Sequence, residues 1–182
     1  MAIREVSQPF NSASGMFFTD NKLWLSGSYG ESFGYINTET WKVEKVFKQM
    51  VRPALKKTNS QSYASMTFDG KNIWIAWHLF HYRLPNSEVQ QLLKIEPETG
   101  KILEKYPLPI GNKSDGTHGL TFDGTNLWHI KDKRLSKIDS SNGKVLEIYI
   151  LTELKRPSGL AWDGDSLWIV QFDGKLWSLP FK

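Results

Sequence analysis

All four histidines of this 182-residue chain, His78, His81, His118 and His129, fall between positions 78 and 129. His78 and His81 stand in "WHLFHYRLPNSEVQ" (77–90), and His118 closes "IGNKSDGTH" (110–118), three residues after Asp115. An imidazole oriented by a carboxylate is a general acid–base pair, so His118 with Asp115 is the catalytic candidate, for a lyase or hydrolase. His78, His81 and His118 with Asp115 also have the donor types that suit zinc. No HExxH spacing supports that set, and the expectation is a protein without metal or cofactor. His129 reads as a strand residue facing away from the surroundings of His118. A second chemistry is electrostatic. Lys56 and Lys57 in "VRPALKKTNSQSYA" (51–64), Arg83 and Arg156 offer positive charge, while Trp77 and Tyr82 offer contact area. Such a set suits an anionic small molecule or an acidic protein surface. "HLFHYRL" also interleaves base and aromatic in the manner of a nucleic-acid site, but only weakly.

Composition narrows the classes. There is no cysteine, which excludes disulfides and thiolate catalysis. No apolar run nears the roughly 20 residues of a membrane helix. "MAIREVSQPF" lacks the apolar centre of a signal peptide, so the expected location is the cytoplasm. The net charge of +4 is by itself weak evidence for an anionic partner.

The positioning elements are legible because one phrase is written four times: "MFFTDNKLWLS" (16–26), "MTFDGKNIWIA" (66–76), "LTFDGTNLWHI" (120–130) and "LAWDGDSLWIV" (160–170). Aligned on Trp24, Trp74, Trp128 and Trp168, each copy is apolar one, six and eight positions earlier. Asp69-Gly70, Asp123-Gly124 and Asp163-Gly164 occupy the turn, with Thr19-Asp20 as the divergent copy. Asp-Gly between alternating apolar runs marks a hairpin, since glycine adopts positive φ without steric cost. A second hairpin follows the first three copies: "FGYINTETWKVEKVF" (33–47), "LLKIEPETGKILEKY" (92–106) and "LSKIDSSNGKVLEIY" (135–149). Two hairpins make four strands, a to d. Four short strands recurring every 40–54 residues predict blades of a β-propeller.

The expected architecture is all-β: one domain over 1–182, a four-bladed β-propeller with four antiparallel strands per blade. The blades cover about 15–50, 64–109, 118–152 and 158–180 plus 2–8. The last repeat stops after strand c, and "AIREVS" (2–7) matches "KVLEIY" (144–149), so the N-terminal strand is expected to complete the last blade. An open arc that pairs with a second copy is the alternative. The four repeat tryptophans are expected in the core between blades.

"THGLTFDGTNLW" and "RPSGLAWDGDSLW", with the "Ile-acid…Gly-Lys" hairpins, resemble bacterial NHL-like and glutaminyl-cyclotransferase-like propellers over nearly the whole chain. The resemblance implies a propeller fold. Relatives of that kind have five to seven blades and include binding modules, lyases, hydrolases and cyclases.

In a propeller the b–c and d–a connections emerge on one face, and the a–b and c–d turns on the other. The second set is short and repetitive. The first is variable and holds Arg52, Lys56, Lys57, Arg83, Lys113, Lys131, Lys133, Arg134, Lys155 and Arg156 with fewer acids. The turn face holds nine acids against five lysines. One face is therefore expected basic and the other acidic. Rigid scaffolds position functional residues on such loops. The leading expectation is a non-catalytic binding or scaffold propeller, with binding residues Lys56, Lys57, Trp77, His78, His81, Tyr82, Arg83, His118 and Arg156.

Overall fold

The structure, a computed structural model, describes residues 13–27, 32–48, 60–81, 89–108 and 118–180. Among these are fifteen strands and no helix. The first sheet joins β1 (Ala13–Thr19), β2 (Lys22–Gly27), β3 (Ser32–Asn37) and β4 (Val43–Lys48) in that order. The second joins β5 (Ser60–Phe68), β6 (Ile73–His81), β7 (Val89–Ile95) and β8 (Ile102–Pro107). The third joins β9 (His118–Phe122), β10 (Asn126–Lys131), β11 (Arg134–Asp139) and β12 (Val145–Ile150). The fourth has three described strands, β13 (Pro157–Trp162), β14 (Ser166–Gln171) and β15 (Leu176–Pro180). All pairings are antiparallel between sequence neighbours. This is the four-bladed β-propeller that the repeats predict. The N-terminal strand expected beside β15 lies outside the described residues.

The repeated phrase folds as it does because each Asp-Gly turn is tied to its tryptophan. The Asp123 carboxylate accepts from the Thr125 and Asn126 amides at 2.8 and 2.6 Å and from the Trp128 indole N–H at 2.6 Å. Asp69 does the same for Lys71, Asn72 and Trp74, and Asp163 for Asp165, Ser166 and Trp168. Gly70, Gly124 and Gly164 take φ of +91°, +95° and +107°. The divergent copy uses Asp20 and Asn21 at +49° and +58°, the conformation of a two-residue type I′ turn. In the c–d turns Gly100 and Gly143 sit at +71° and +68°, and Trp41 holds the same left-handed position at +57°. Gly143 lies flat against Tyr106 of the preceding blade, where an added Cβ would come within 2.3 Å of the ring.

Blades pack face to face. The inner strands follow one another, β1 on β5, β5 on β9 and β9 on β13, and no comparable contact joins β13 to β1 among the described residues. Alternation gives each blade a face toward the blade before it and a face toward the blade after. Between blades 1 and 2, Trp24 and Phe33 meet Met66, Ile75 and Trp77. Between blades 2 and 3, Trp74 meets Leu120 and Leu127; between blades 3 and 4, Trp128 meets Leu167 and Ile169. The inner strands approach so closely that a Cβ on Gly119 would lie 2.5 Å from the Leu160 amide nitrogen. Trp24, Trp74 and Trp128 are buried at 3, 0 and 2 % exposure, but Trp168 is 37 % exposed. The expectation of four core tryptophans is corrected for Trp168, because no described blade covers its face.

Candidate functional site

A polar junction interrupts the apolar packing between blades 2 and 3. β6 carries His78 on the side toward blade 3, alternating with Trp74 and Ala76. β10 carries His129 and Lys131 on the side toward blade 2, alternating with Leu127. The Lys131 Nζ and His78 Nε2 stand 3.4 Å apart, both buried. Gln90, the register partner of His78 on β7, and Ser136, that of His129 on β11, are buried with them. The His78 ring nitrogens donate or accept according to the tautomer, and an ammonium, which only donates, calls for an Nε2 that accepts. Burying a lysine ammonium is costly unless surrounding groups compensate it. Here the strand ends hold it beneath the variable face.

Cations gather on the rim of that face over blades 3 and 4. Lys133, Arg134, Lys155 and Arg156 are exposed there, with Glu153 and Asp173 exposed beside them. Lys133 Nζ donates to the Thr152 carbonyl at 2.8 Å, which ties the β10–β11 turn to the β12–β13 link. The Lys155 amide donates to the buried Gln171 side chain. The Arg156 guanidinium lies 4.5 Å from the centre of the Phe172 ring, stacked on its face. The turn face is the opposite electrostatically. Burial pushes the Asp69 and Asp123 carboxyls up, but hydrogen bonds from indole and backbone N–H groups outweigh it and hold both below the usual 3.8. The Trp168 indole and two backbone amides hold Asp163 down in the same way. A cleft of about 380 Å³ opens on this turn face between blades 1 and 2, lined by Asp20, Lys22, Lys71, Glu96 and Glu98 around Phe68 and Leu103.

The sequence-predicted residues fall in three groups. His78 is buried in the polar junction and Arg156 is exposed on the rim. Trp77 is 1 % exposed in the core between blades 1 and 2. It stands there because β6 runs through His81 and β7 begins at Val89, so both ends of the expected loop 77–90 are strand. His81 and His118 are described by backbone alone: His81 pairs with Ser60, and His118 pairs with Lys131. That register brings His129 within two positions of the partner of His118, rather than away from it. Lys56, Lys57, Tyr82, Arg83 and Asp115 lie outside the described residues. Among the described residues no three His, Asp or Glu side chains form a metal-ligating group.

Lys131 reads from the sequence as a surface charge, yet it is 3 % exposed. Its signal was present in the aligned columns. Three residues past each repeat tryptophan stand Gly27, Trp77, Lys131 and Gln171, and one residue past stand Leu25, Ile75, His129 and Ile169. A cation and an imidazole break columns that are otherwise uncharged, in one blade only.

No family model matches the sequence, and no curated protein matches it. Solved structures do match in fold. The computationally designed Ika4 protein aligns with TM-score 0.57 at 13% identity over 100% of both chains. A catalytically inactive virginiamycin B lyase from Staphylococcus aureus, solved with quinupristin, aligns at 0.51 and 15% identity, over 93% of this chain and 66% of the lyase. The WD40 β-propeller domain of Doa1 aligns at 0.56 and 12% identity, over 91% of this chain and 48% of that one. The chain is a β-propeller. It spans about half of the Doa1 chain and just under two thirds of the lyase chain.

Proposed function

We propose that this protein is a non-catalytic binding propeller, nearest in type to the NHL-like and glutaminyl-cyclotransferase-like propellers. It acts in the cytoplasm, and its basic variable face engages an anionic small molecule or an acidic protein surface. The observation that carries the reading is the grouping of four exposed cations, Lys133, Arg134, Lys155 and Arg156, along one rim, next to a lysine buried at the junction below. Cations gathered on one face raise the local concentration of anions and speed their capture. Arginine adds planar, bidentate recognition of carboxylate or phosphate. The turn face carries aspartates held ionised, which repels the same ligands and orients their approach.

The test uses two probes, pyrophosphate and a polyglutamate peptide, titrated by calorimetry at low and physiological salt. The expected result is binding of at least one probe that weakens at the higher salt, where the Debye length falls to about 8 Å. In the variant combining Lys133→Glu, Lys155→Glu and Arg156→Glu that binding falls at least tenfold. Binding that this variant leaves unchanged, or no binding of either probe at low salt, would refute the proposal.

A further inference from the structure

β4, β8 and β12 each lie at the outside of their sheet and pair, among the described strands, with one neighbour only. Their outer edges differ. In blade 3 the Leu151 N–H donates to the Lys133 carbonyl at 2.8 Å. Successive residues of an antiparallel strand turn their N–H and C=O to opposite sides, so Tyr149 and Glu147 face β11, while Ile148 and Ile150 present theirs at the outer edge. In blade 2 the matching bond, from the Leu108 N–H to the Gln90 carbonyl, puts Lys105 and Pro107 on that edge. Lysine and proline are residues that blunt an edge strand, since the charge keeps its water and the proline has no N–H to offer. The same two positions of β4 are Val46 and Lys48. Among the three strands, β12 alone fills both with isoleucine.

The side chains agree with the backbone. Leu146, Ile148 and Ile150 are 51, 46 and 59 % exposed and alternate onto one face of β12, the face of Ser136, register partner of Ile148. Their counterparts are Glu44, Val46 and Lys48 on β4, and Leu103, Lys105 and Pro107 on β8. Cations stand at both ends of this aliphatic stripe. Lys144 is exposed just before Val145. At the other end Arg134, register partner of Ile150, is exposed, and the Lys133 ammonium lies at the Thr152 carbonyl. The acids nearby are Glu153, exposed at the Lys133 end, Asp139, held by Ser141 and Asn142 in the turn beside Lys144, and Glu147, which turns to the opposite face and Lys137 at 3.9 Å.

We propose that β12 takes an extended, acid-flanked segment of a partner protein as a fifth strand of blade 3. The segment's backbone pairs with the N–H and C=O groups of Ile148 and Ile150, and its alternate apolar side chains cover Leu146, Ile148 and Ile150. Carboxylates at its ends meet Lys133 and Arg134 on one side and Lys144 on the other. This names the protein partner of the basic face and rests on that reading for the charges at the strand's ends. A second copy of the chain suits the edge poorly. Antiparallel pairing of β12 with itself about Ile148 sets Lys144 of each copy against the Lys133 ammonium of the other, and like charges placed opposite destabilise a ladder.

The probe is the capped peptide Asp-Val-Thr-Val-Thr-Val-Asp, titrated by calorimetry. Wild type should bind it, with amide hydrogen exchange slowed at Ile148 and Ile150 and unchanged at Lys105. The same peptide N-methylated throughout cannot complete the ladder and should bind at least tenfold more weakly, as should its lysine-ended counterpart. Both of these arms use the wild-type chain and are independent of how any variant folds. Ile148→Lys gives β12 the residue that β8 carries in that column. It should weaken peptide binding at least tenfold while far-UV circular dichroism stays that of wild type. Pyrophosphate, titrated alongside, reads the basic face alone and should not respond to Ile148→Lys, so the two readings fail separately. A wild-type chain that does not bind the peptide, binding that survives N-methylation, lysine ends or Ile148→Lys, or a doubled mass in sedimentation that Ile148→Lys returns to a single chain would each overturn the proposal.

Discussion

Lys131 and His78 separate structural from functional accounts of the same residues. Lys131→Met keeps the stem but takes a partner from the buried His78 ring, which should cost about 1–3 kcal/mol and lower the melting temperature whichever account holds. The binding proposal expects weaker pyrophosphate or polyglutamate binding as well, a purely structural role leaves that binding unchanged, and calorimetry separates the two outcomes. The turn aspartates make a second residue-scale prediction. Asp69, Asp123 and Asp163 have folded-state values below 3.8. The unfolded chain therefore takes up protons first as pH falls, so their stabilisation is complete well above 3.8 and is lost below it, as pH drops toward the folded values. Asp123→Asn leaves one oxygen to serve both the Trp128 indole and the backbone amides. Urea denaturation should show a loss of about 1 kcal/mol at pH 7 and a shallower decline between pH 5 and 3.

At the scale of strands and turns, two glycine classes have different reasons to exist, and their substitutions should rank accordingly. Gly124 has positive φ with open space around it, so Gly124→Ala should cost about 1 kcal/mol of backbone strain. Gly143 has positive φ and a ring 2.3 Å from any Cβ, so Gly143→Ala should cost about 2–4 kcal/mol, read as a lower urea midpoint. This level was largely legible in the sequence. The Trp and Asp-Gly columns repeat because backbone geometry and indole hydrogen bonding demand the same residues in each blade. The strand ends were less legible. In "WIAWHLFHY" the alternation of β6 continues past Trp77, but the bulky polar residues His78 and His81 read as loop, and a buried lysine at the end of β10 read as surface. Polarity argues for solvent only when no neighbouring blade folds over it, and a single repeat cannot reveal that.

For the whole molecule, the strand contacts among the described residues run between successive blades, so stability is close to a sum of blade and junction terms. Among the described residues blades 1 and 4 have a single junction each, and they should open first. Hydrogen exchange should protect β6 and β10 most and β14 least. The fold of blades followed from periodicity. What covers the terminal faces did not, because repeats encode how a face packs and are silent about which chain supplies the other side.

Tryptophan exposure is divided among the blades: Trp24, Trp74, Trp77 and Trp128 are sheltered, while Trp41, Trp168 and Trp177 meet solvent on the first and last sheets. The red portion of the natural emission spectrum therefore comes from those two sheets. Any event that shelters those residues will turn the emission bluer without a label, whereas an anion settling on the rim of Lys133 and Arg134 leaves that colour unchanged.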